Sequence, residues 1–278
     1  MQRTILITGA SGRLGAALVK SLAADHRVVQ FSLDDPCTPE QRQAGPCLHG
    51  CITDAAVVGR AMNGVEAVIH CAAVPAPIAP FDTLMKTNVL GTFNVLEAAG
   101  HNPRVRQVVF LSSIQWHGLH EEHGGLQSPR YLPLDEAHPS QATGYYDTSK
   151  VMGEYLCETF VKRYRKPCVA LRPGWIITPD AERSFRAVPP PDRPHLNDYV
   201  GAGDVVDAVR RSLDYDPPDG FEAFLLHADD QRSTMPSEDL AARFYPKAKR
   251  DSARLNAHDG FAALFDCTQA RENLGWSP

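Results

Sequence analysis

The stretch RTILITGASGRLGAALV, residues 3–19, decides how this chain is read. Ile5, Leu6 and Ile7 form a short apolar run that predicts a buried parallel strand. It leads directly into Thr8-Gly9-Ala10-Ser11-Gly12-Arg13-Leu14-Gly15, after which Ala16, Ala17, Leu18 and Val19 predict a helix. Strand, glycine turn and helix start follow one another without spacers. That order presents backbone N–H groups to an anion: glycines at 9, 12 and 15 clear the approach to a pyrophosphate, and the helix dipole favours negative charge there. Gly9, Ser11, Gly12, Arg13, Leu14 and Gly15 are therefore candidate cofactor-binding residues. Glycines at this spacing also occur in ordinary turns, so the weight rests on their place behind an apolar strand.

At 278 residues the chain is near the size at which one core stops growing, which predicts one domain with a small appendage. A net charge of -5 leaves no electrostatic footprint for nucleic acid. No long apolar run or leader pattern is present, so a soluble, cytoplasmic protein without a membrane partner is expected. The seven cysteines (37, 47, 51, 71, 157, 168 and 267) are odd in number, and several lie in apolar runs. None forms a Cys-x-x-Cys pair, which predicts reduced, mostly buried thiols rather than disulfides or zinc.

Further along, Arg27 to Phe31 predicts a second strand, with an acidic residue expected about twenty residues beyond the glycines to hold a ribose. Asp34 is the candidate, although Asp34-Asp35 before Pro36 also reads as a solvated turn. No Lys or Arg lies between Arg27 and Arg42 to hold a 2′-phosphate, which favours NAD, with NADP as the alternative. Leu48 to Ile52 predicts a third strand, and Thr53-Asp54 an N-cap for a helix over Ala55 to Met62. Strand four spans Glu66 to Ala73; its His70 reads as a satisfied core histidine, and small Ala72 and Ala73 let a cofactor lie against the backbone. Three prolines between Val74 and Pro80 predict a loop over the site. Phe81 to Ala99 predicts a helix with a broad apolar face, including Leu84, Leu90, Phe93 and Leu96. Strand five, Val105 to Leu111, ends in Ser112-Ser113. His117, His120 and His123 do not match a helical zinc motif and are expected to be solvated loop side chains, with no metal site.

Tyr146 and Lys150 are four apart on a helix predicted to run through Tyr164, so they share a face. A tyrosine near pKa 10 is a poor base at neutral pH, and lowering it by about three units takes about 4 kcal/mol. A nearby ammonium and an oxidised nicotinamide both favour the phenolate. The bare pair recurs at Tyr245 and Lys249, where Pro246 makes it a coincidence. Its strength comes from following the glycine turn and the Ser-Ser strand end.

Several segments together resemble the extended short-chain dehydrogenase/reductases, the NAD-dependent epimerase/dehydratase group. They are the Gly-x-x-Gly-x-x-Gly of TGASGRLG, Asn88-Val89-Leu90-Gly91-Thr92, Ser112-Ser113, the set Tyr146, Ser149, Lys150, Gly153 and Glu154, Arg172-Pro173, and the closing Asn273 to Pro278. The resemblance implies an α/β fold: a Rossmann doubly wound parallel sheet over residues 1–172, with a return helix at 203–214. A small C-terminal substrate-binding appendage would use 173–202 and 215–278. It further implies Tyr146 as general base or acid, Ser113 (with Ser112 as fallback) holding the reacting oxygen, and Lys150 binding the nicotinamide ribose. Asn88 would support that site, Ile52 would lie beside the adenine, and Pro173 would lie beside the nicotinamide. Ile114, Gln115, Trp175 and Arg183 fall on the substrate side, and Arg183 and Arg186 suit a carboxylate or phosphate.

The layout is closest to the short uronate and aldose dehydrogenases. It implies hydride transfer between NAD(P) and a hydroxyl or carbonyl of a small sugar, sugar acid or related alcohol. The alternatives are a nucleotide-sugar epimerase with tightly bound NAD, and a dinucleotide-binding sensor without turnover. A homodimer through the apolar faces of Leu84 to Leu96 and Val151 to Phe160 is also implied.

Overall fold

In the computed structural model the described residues are 2–34, 38–75, 80–119, 127–179 and 199–278. The apolar runs form strands β1 (Thr4–Thr8), β2 (Arg27–Ser32), β3 (Cys47–His49), β4 (Ala67–His70) and β5 (Gln107–Leu111). They are followed by β6 (Tyr131–Leu132), β7 (Cys168–Pro173), β8 (Ile176–Ile177), β9 (Val200–Gly201), β10 (Phe221–Leu226) and β11 (Lys249–Arg250). Seven of them build one parallel sheet in the order β10-β7-β5-β4-β1-β2-β3. Helices cover both faces, which is why β1, β4, β5 and β7 read as unbroken apolar runs rather than alternating ones. One core includes Ile5, Ile7, Leu18, Val109 and Leu171; the other includes Leu6, Phe31, Val68, Val108 and Phe160.

The winding reverses between β1 and β4, and in sheets of this kind the crevice beyond the carboxyl ends at such a reversal is where ligands bind. The glycine turn leaves β1 on that side, and residues 71–75 leave β4 beside it. Helix Arg13–Leu22 buries Gly15, Leu18, Val19 and Leu22. Helix Ala55–Ala61 is capped by Asp54, whose carboxylate accepts the N–H groups of Ala56 and Val57. Helix Tyr145–Tyr164 runs for 20 residues and ends at Arg165 in the left-handed region.

Four expectations need correction. Residues 215–278 do not serve only the substrate side: Phe221–Leu226 is the outermost strand of the main sheet, and it buries Phe224, Leu225 and Leu226 there. Helix 81–99 is not uniform, because α-helix Phe81–Met85 widens into a π-helix over Lys86–Gly91 before α-helix Thr92–His101 resumes. The third strand is only Cys47–His49 and is mostly exposed at the sheet edge. Cys47, on that edge, is disulfide-bonded, whereas Cys51, Cys71, Cys157, Cys168 and Cys267 are free. No helix among the described residues is long and apolar enough to cross a membrane.

Candidate active site

The three glycines have different reasons for being glycine. Gly9 has φ +69°, and a Cβ there would lie 2.8 Å from the backbone of Ala72. At Gly15 a Cβ would fall 2.1 Å from the carbonyl oxygen of Gly9. Both are therefore demanded by the packing of the turn on itself and on the loop after β4, not by room for a ligand. Gly12 is the exception: a Cβ would meet only the Gly9 oxygen, at 3.3 Å. Gly12 is the exposed N-cap of helix Arg13–Leu22, and no side chain caps that helix end. An uncapped helix N-terminus with its approach kept bare fits the phosphates of a dinucleotide.

At the end of β2, the strand stops at Ser32, and the Ser32 hydroxyl accepts the N–H of Ser11 at 2.9 Å. Asp34 lies beyond the strand and is exposed. It lines a small pocket with Ser11, Ser32, Arg42 and His49. Arg42, from helix Pro39–Ala44, thus stands where the linear sequence had suggested that no cation would be. Ile52 is buried against Gly91, and its carbonyl accepts from Asn94 at 3.0 Å.

Beneath the β4 loop lies a chain of buried hydrogen bonds. Thr92 Oγ1 donates to the Asn88 carbonyl at 2.6 Å, so it can only accept from His70 Nε2, 2.9 Å away. His70 Nδ1 is then the acceptor for Thr8 Oγ1 at 2.6 Å, and Thr8 Oγ1 accepts the Ala72 N–H at 3.3 Å. His70 is the satisfied core histidine expected, held neutral because burial pushes its pKa down to about 3. The Asn88 side chain clasps Val74, accepting its N–H at 2.8 Å and donating to its carbonyl at 3.0 Å. It also donates to Ser149 Oγ at 3.1 Å, and Ser149 donates to the Tyr146 carbonyl at 2.6 Å. Asn88 sits inside the π-helix, whose extra residue per turn brings one side chain out of the regular helical phase.

Tyr146 and Lys150 stand one turn apart on helix Tyr145–Tyr164, with the Lys150 Nζ 5.6 Å from the Tyr146 ring centre. Gly153 lets this helix press onto β5, since a Cβ there would strike the Phe110 ring at 2.6 Å. Lys150 is buried and donates to the carbonyl of Leu111, the last residue of β5, at 2.8 Å; burial lowers its pKa to about 8. The ammonium therefore sits two residues from Ser113. Ser113 is half-buried, and its Oγ accepts the Gln115 N–H at 3.2 Å, leaving its own proton to be donated onward. Ser112 points elsewhere, donating to the buried Glu154 at 2.5 Å. The Ser112 hydroxyl, the fallback in the sequence reading, is thus already engaged within the protein.

On the substrate side the picture is mixed. Trp175, just past β7, is 63% exposed, and Pro173 is buried at the strand end. Gln115 is half-buried, but Ile114 is only 5% exposed and packs into the core, which removes it as a substrate contact. His117 is another correction: it is fully buried, not solvated, and neither ring nitrogen finds a partner among the described residues. Arg183, Arg186, His120 and His123 lie outside the described residues. Among the described residues no cluster of metal-ligating side chains occurs.

A crevice at the sheet's winding reversal, a bare helix N-terminus and a tyrosine–lysine pair at the end of β5 define the class of Rossmann-type dinucleotide-binding proteins. The comparison with known proteins narrows this. Residues 5–189 match the NAD dependent epimerase/dehydratase family, and the chain belongs to it. The chain is 30% identical over 252 residues to L-arabinose 1-dehydrogenase (NAD(P)(+)) of Haloferax volcanii, covering 87% of this chain and 94% of that protein. It is 27% identical over 263 residues to a uronate dehydrogenase of Pseudomonas syringae pv. tomato, covering 87% and 90%. Among solved structures, UDP-glucose 4-epimerase from Thermotoga maritima superposes with a TM-score of 0.74 at 21% identity, covering 99% of this chain and 93% of the other.

Proposed function

We propose that this protein is an NAD(P)-dependent dehydrogenase that oxidises a hydroxyl of a small sugar or sugar acid. The observation that supports this reading is Lys150, whose Nζ is bonded to Leu111 at the end of β5, two residues before Ser113, and stands 5.6 Å from the Tyr146 ring centre. When bound, the nicotinamide supplies the hydride acceptor. The Tyr146 hydroxyl takes the proton from the substrate alcohol, and Ser113 donates a hydrogen bond to the same oxygen. The Lys150 ammonium favours the phenolate form of Tyr146 and, with its remaining protons, holds the nicotinamide ribose. Ala72, Ala73 and Pro173 form the backbone wall against which the cofactor lies, and the first turn of helix Arg13–Leu22 receives its phosphates. Trp175 offers an aromatic face, and Gln115 a polar group, to the sugar.

The reading is supported by two relatives that are themselves sugar and sugar-acid dehydrogenases and that this chain matches over most of their length. The test is to incubate the protein with NAD or NADP and a panel of L-arabinose, other aldoses, uronates and glucose 6-phosphate, following reduced cofactor by absorbance. Steady reduction with at least one sugar is expected. Conversion of a UDP-sugar to its epimer without net reduction would instead assign an epimerase, and cofactor binding with no turnover across the panel a sensor.

A homodimer belongs to the same reading. Leu90, Phe93, Met152 and Tyr155 are exposed on the two neighbouring helices that were expected to form an interface. Sedimentation at micromolar concentration should give twice the chain mass, and Tyr155→Glu should give monomers.

A further inference from the structure

Glu154, Arg172 and Trp116 are all buried or half-buried, and the proposed chemistry uses none of them directly. Glu154 lies on the same helix face as Tyr146 and Lys150, at successive four-residue steps. It receives two parallel bonds from Arg172, with Nε to Oε1 at 2.9 Å and Nη2 to Oε2 at 2.6 Å. Glu154 and Arg172 are 3% and 4% exposed, so the pair is desolvated, and a bidentate pair of this kind has one geometry. Each partner then grips one side of Ser113. Glu154 Oε1 takes the Ser112 hydroxyl at 2.5 Å, immediately before it. The Arg172 guanidinium lies over the Trp116 ring at 3.6 Å, at the far end of the turn that Ser113 begins. The turn itself is closed by the Trp116 N–H donating to the Ser113 carbonyl at 3.0 Å.

We infer that the Glu154–Arg172 pair is a positioning device that fixes the Ser113 hydroxyl against the Tyr146 hydroxyl, with Ser112 and Trp116 as its two points of attachment. The inference rests on the reading of Ser113 and Tyr146 given above. The pair ties the helix carrying Tyr146 to the segment carrying Ser113 by a path independent of the Lys150–Leu111 bond. Two separate struts thus join the same helix and strand end. The spacing between the two hydroxyls is thereby held from two directions.

The test is a double-mutant cycle of Ser112→Ala and Ser113→Ala, assayed with the best sugar of the panel at saturating cofactor. Ser112→Ala leaves the buried ion pair intact, so folding is preserved, which a thermal melt within a few degrees of wild type checks. In the wild-type background it should lower kcat about tenfold, as a small misplacement of a reacting group does, with cofactor affinity unchanged. In the Ser113→Ala background it should cost less than about twofold, because the group it positions is already gone. Ser112→Thr, which keeps the hydroxyl, should recover most of the lost rate. Equal losses in both backgrounds, or no loss in the wild-type background, would overturn the inference. Full activity of Ser113→Ala alone would instead remove Ser113 from the chemistry, and the inference with it, so the two failures are told apart. If Ser112→Ala does not fold, Trp116→Phe, which keeps an aromatic face for Arg172, and Trp116→Leu, which does not, take its place in the cycle. Only Trp116→Leu should then lose rate.

Discussion

The two ends of the cofactor crevice are built to different standards. At the end that would hold the nicotinamide, polar side chains from several elements are tied together by hydrogen bonds. Asn88 makes three bonds, Lys150 is pinned to Leu111, and Ser112, Glu154 and Arg172 form a closed set. At the adenosine end the walls are a three-residue edge strand, a six-residue helix and the exposed Asp34. Hydride and proton transfer demand placement to a fraction of an ångström, so that end is over-determined. Holding a ribose tolerates slack, and the protein leaves slack there.

The largest expected effect follows from removing the proposed general base. Tyr146→Phe should lower kcat about a thousandfold while leaving dinucleotide affinity, read by fluorescence titration, within twofold. A comparable loss of affinity would mean that the two ends are not separable.

Lys150→Met should also abolish turnover, yet it should make the protein more stable. Burial lowers the folded pKa of Lys150 to about 8, against about 10.4 in an unfolded chain. Unfolding therefore takes up a proton between those values. This contribution to wild-type stability grows as pH rises through that window and is missing below it. At pH 7 the methionine variant should gain about 2 kcal/mol, after allowing for the lost bond to Leu111, measured by denaturant unfolding. The wild-type rate of oxidation should in turn fall above about pH 8, as the Lys150 charge that favours the phenolate disappears.

The smallest effect belongs to the slack end. Arg42→Ala should raise KM for NADP about fivefold and leave KM for NAD within twofold, a surface charge being worth about 1 kcal/mol. A larger change, or one shared by both cofactors, would mean that this end is as tightly specified as the other.

Much of the nicotinamide end was legible in the sequence because its signals are local. Tyr146 and Lys150 are separated by one helical turn, and Gly153 and Glu154 follow at fixed offsets on the same helix. The glycine turn is contiguous with its strand. What the sequence hid are pairings between distant segments. Ser112 and Glu154 are 42 residues apart, so the bond that occupies the Ser112 hydroxyl is visible only in the fold. Arg42 stands at the end of the stretch after Arg27 that carries no other Lys or Arg, and only the fold brings it beside Ser32 and Asp34. Ile114 and His117 read as cleft and solvent residues because they follow a strand end. A short 3-10 helix over Ile114–His117 turns both side chains inward. Two of the three glycines are held by contacts with the protein's own backbone, which spacing cannot reveal.

The widened turn at Lys86–Gly91 gives the helix between β4 and β5 an awkward length. Deleting one residue there would let the winding tighten to the regular 3.6 residues, so the flanking α-helical segments would keep nearly their present relative orientation while Asn88 lost the bulge that holds it out of phase. A relative one residue shorter here should therefore keep the flanking helices in place and lose the clasp between Asn88 and Val74.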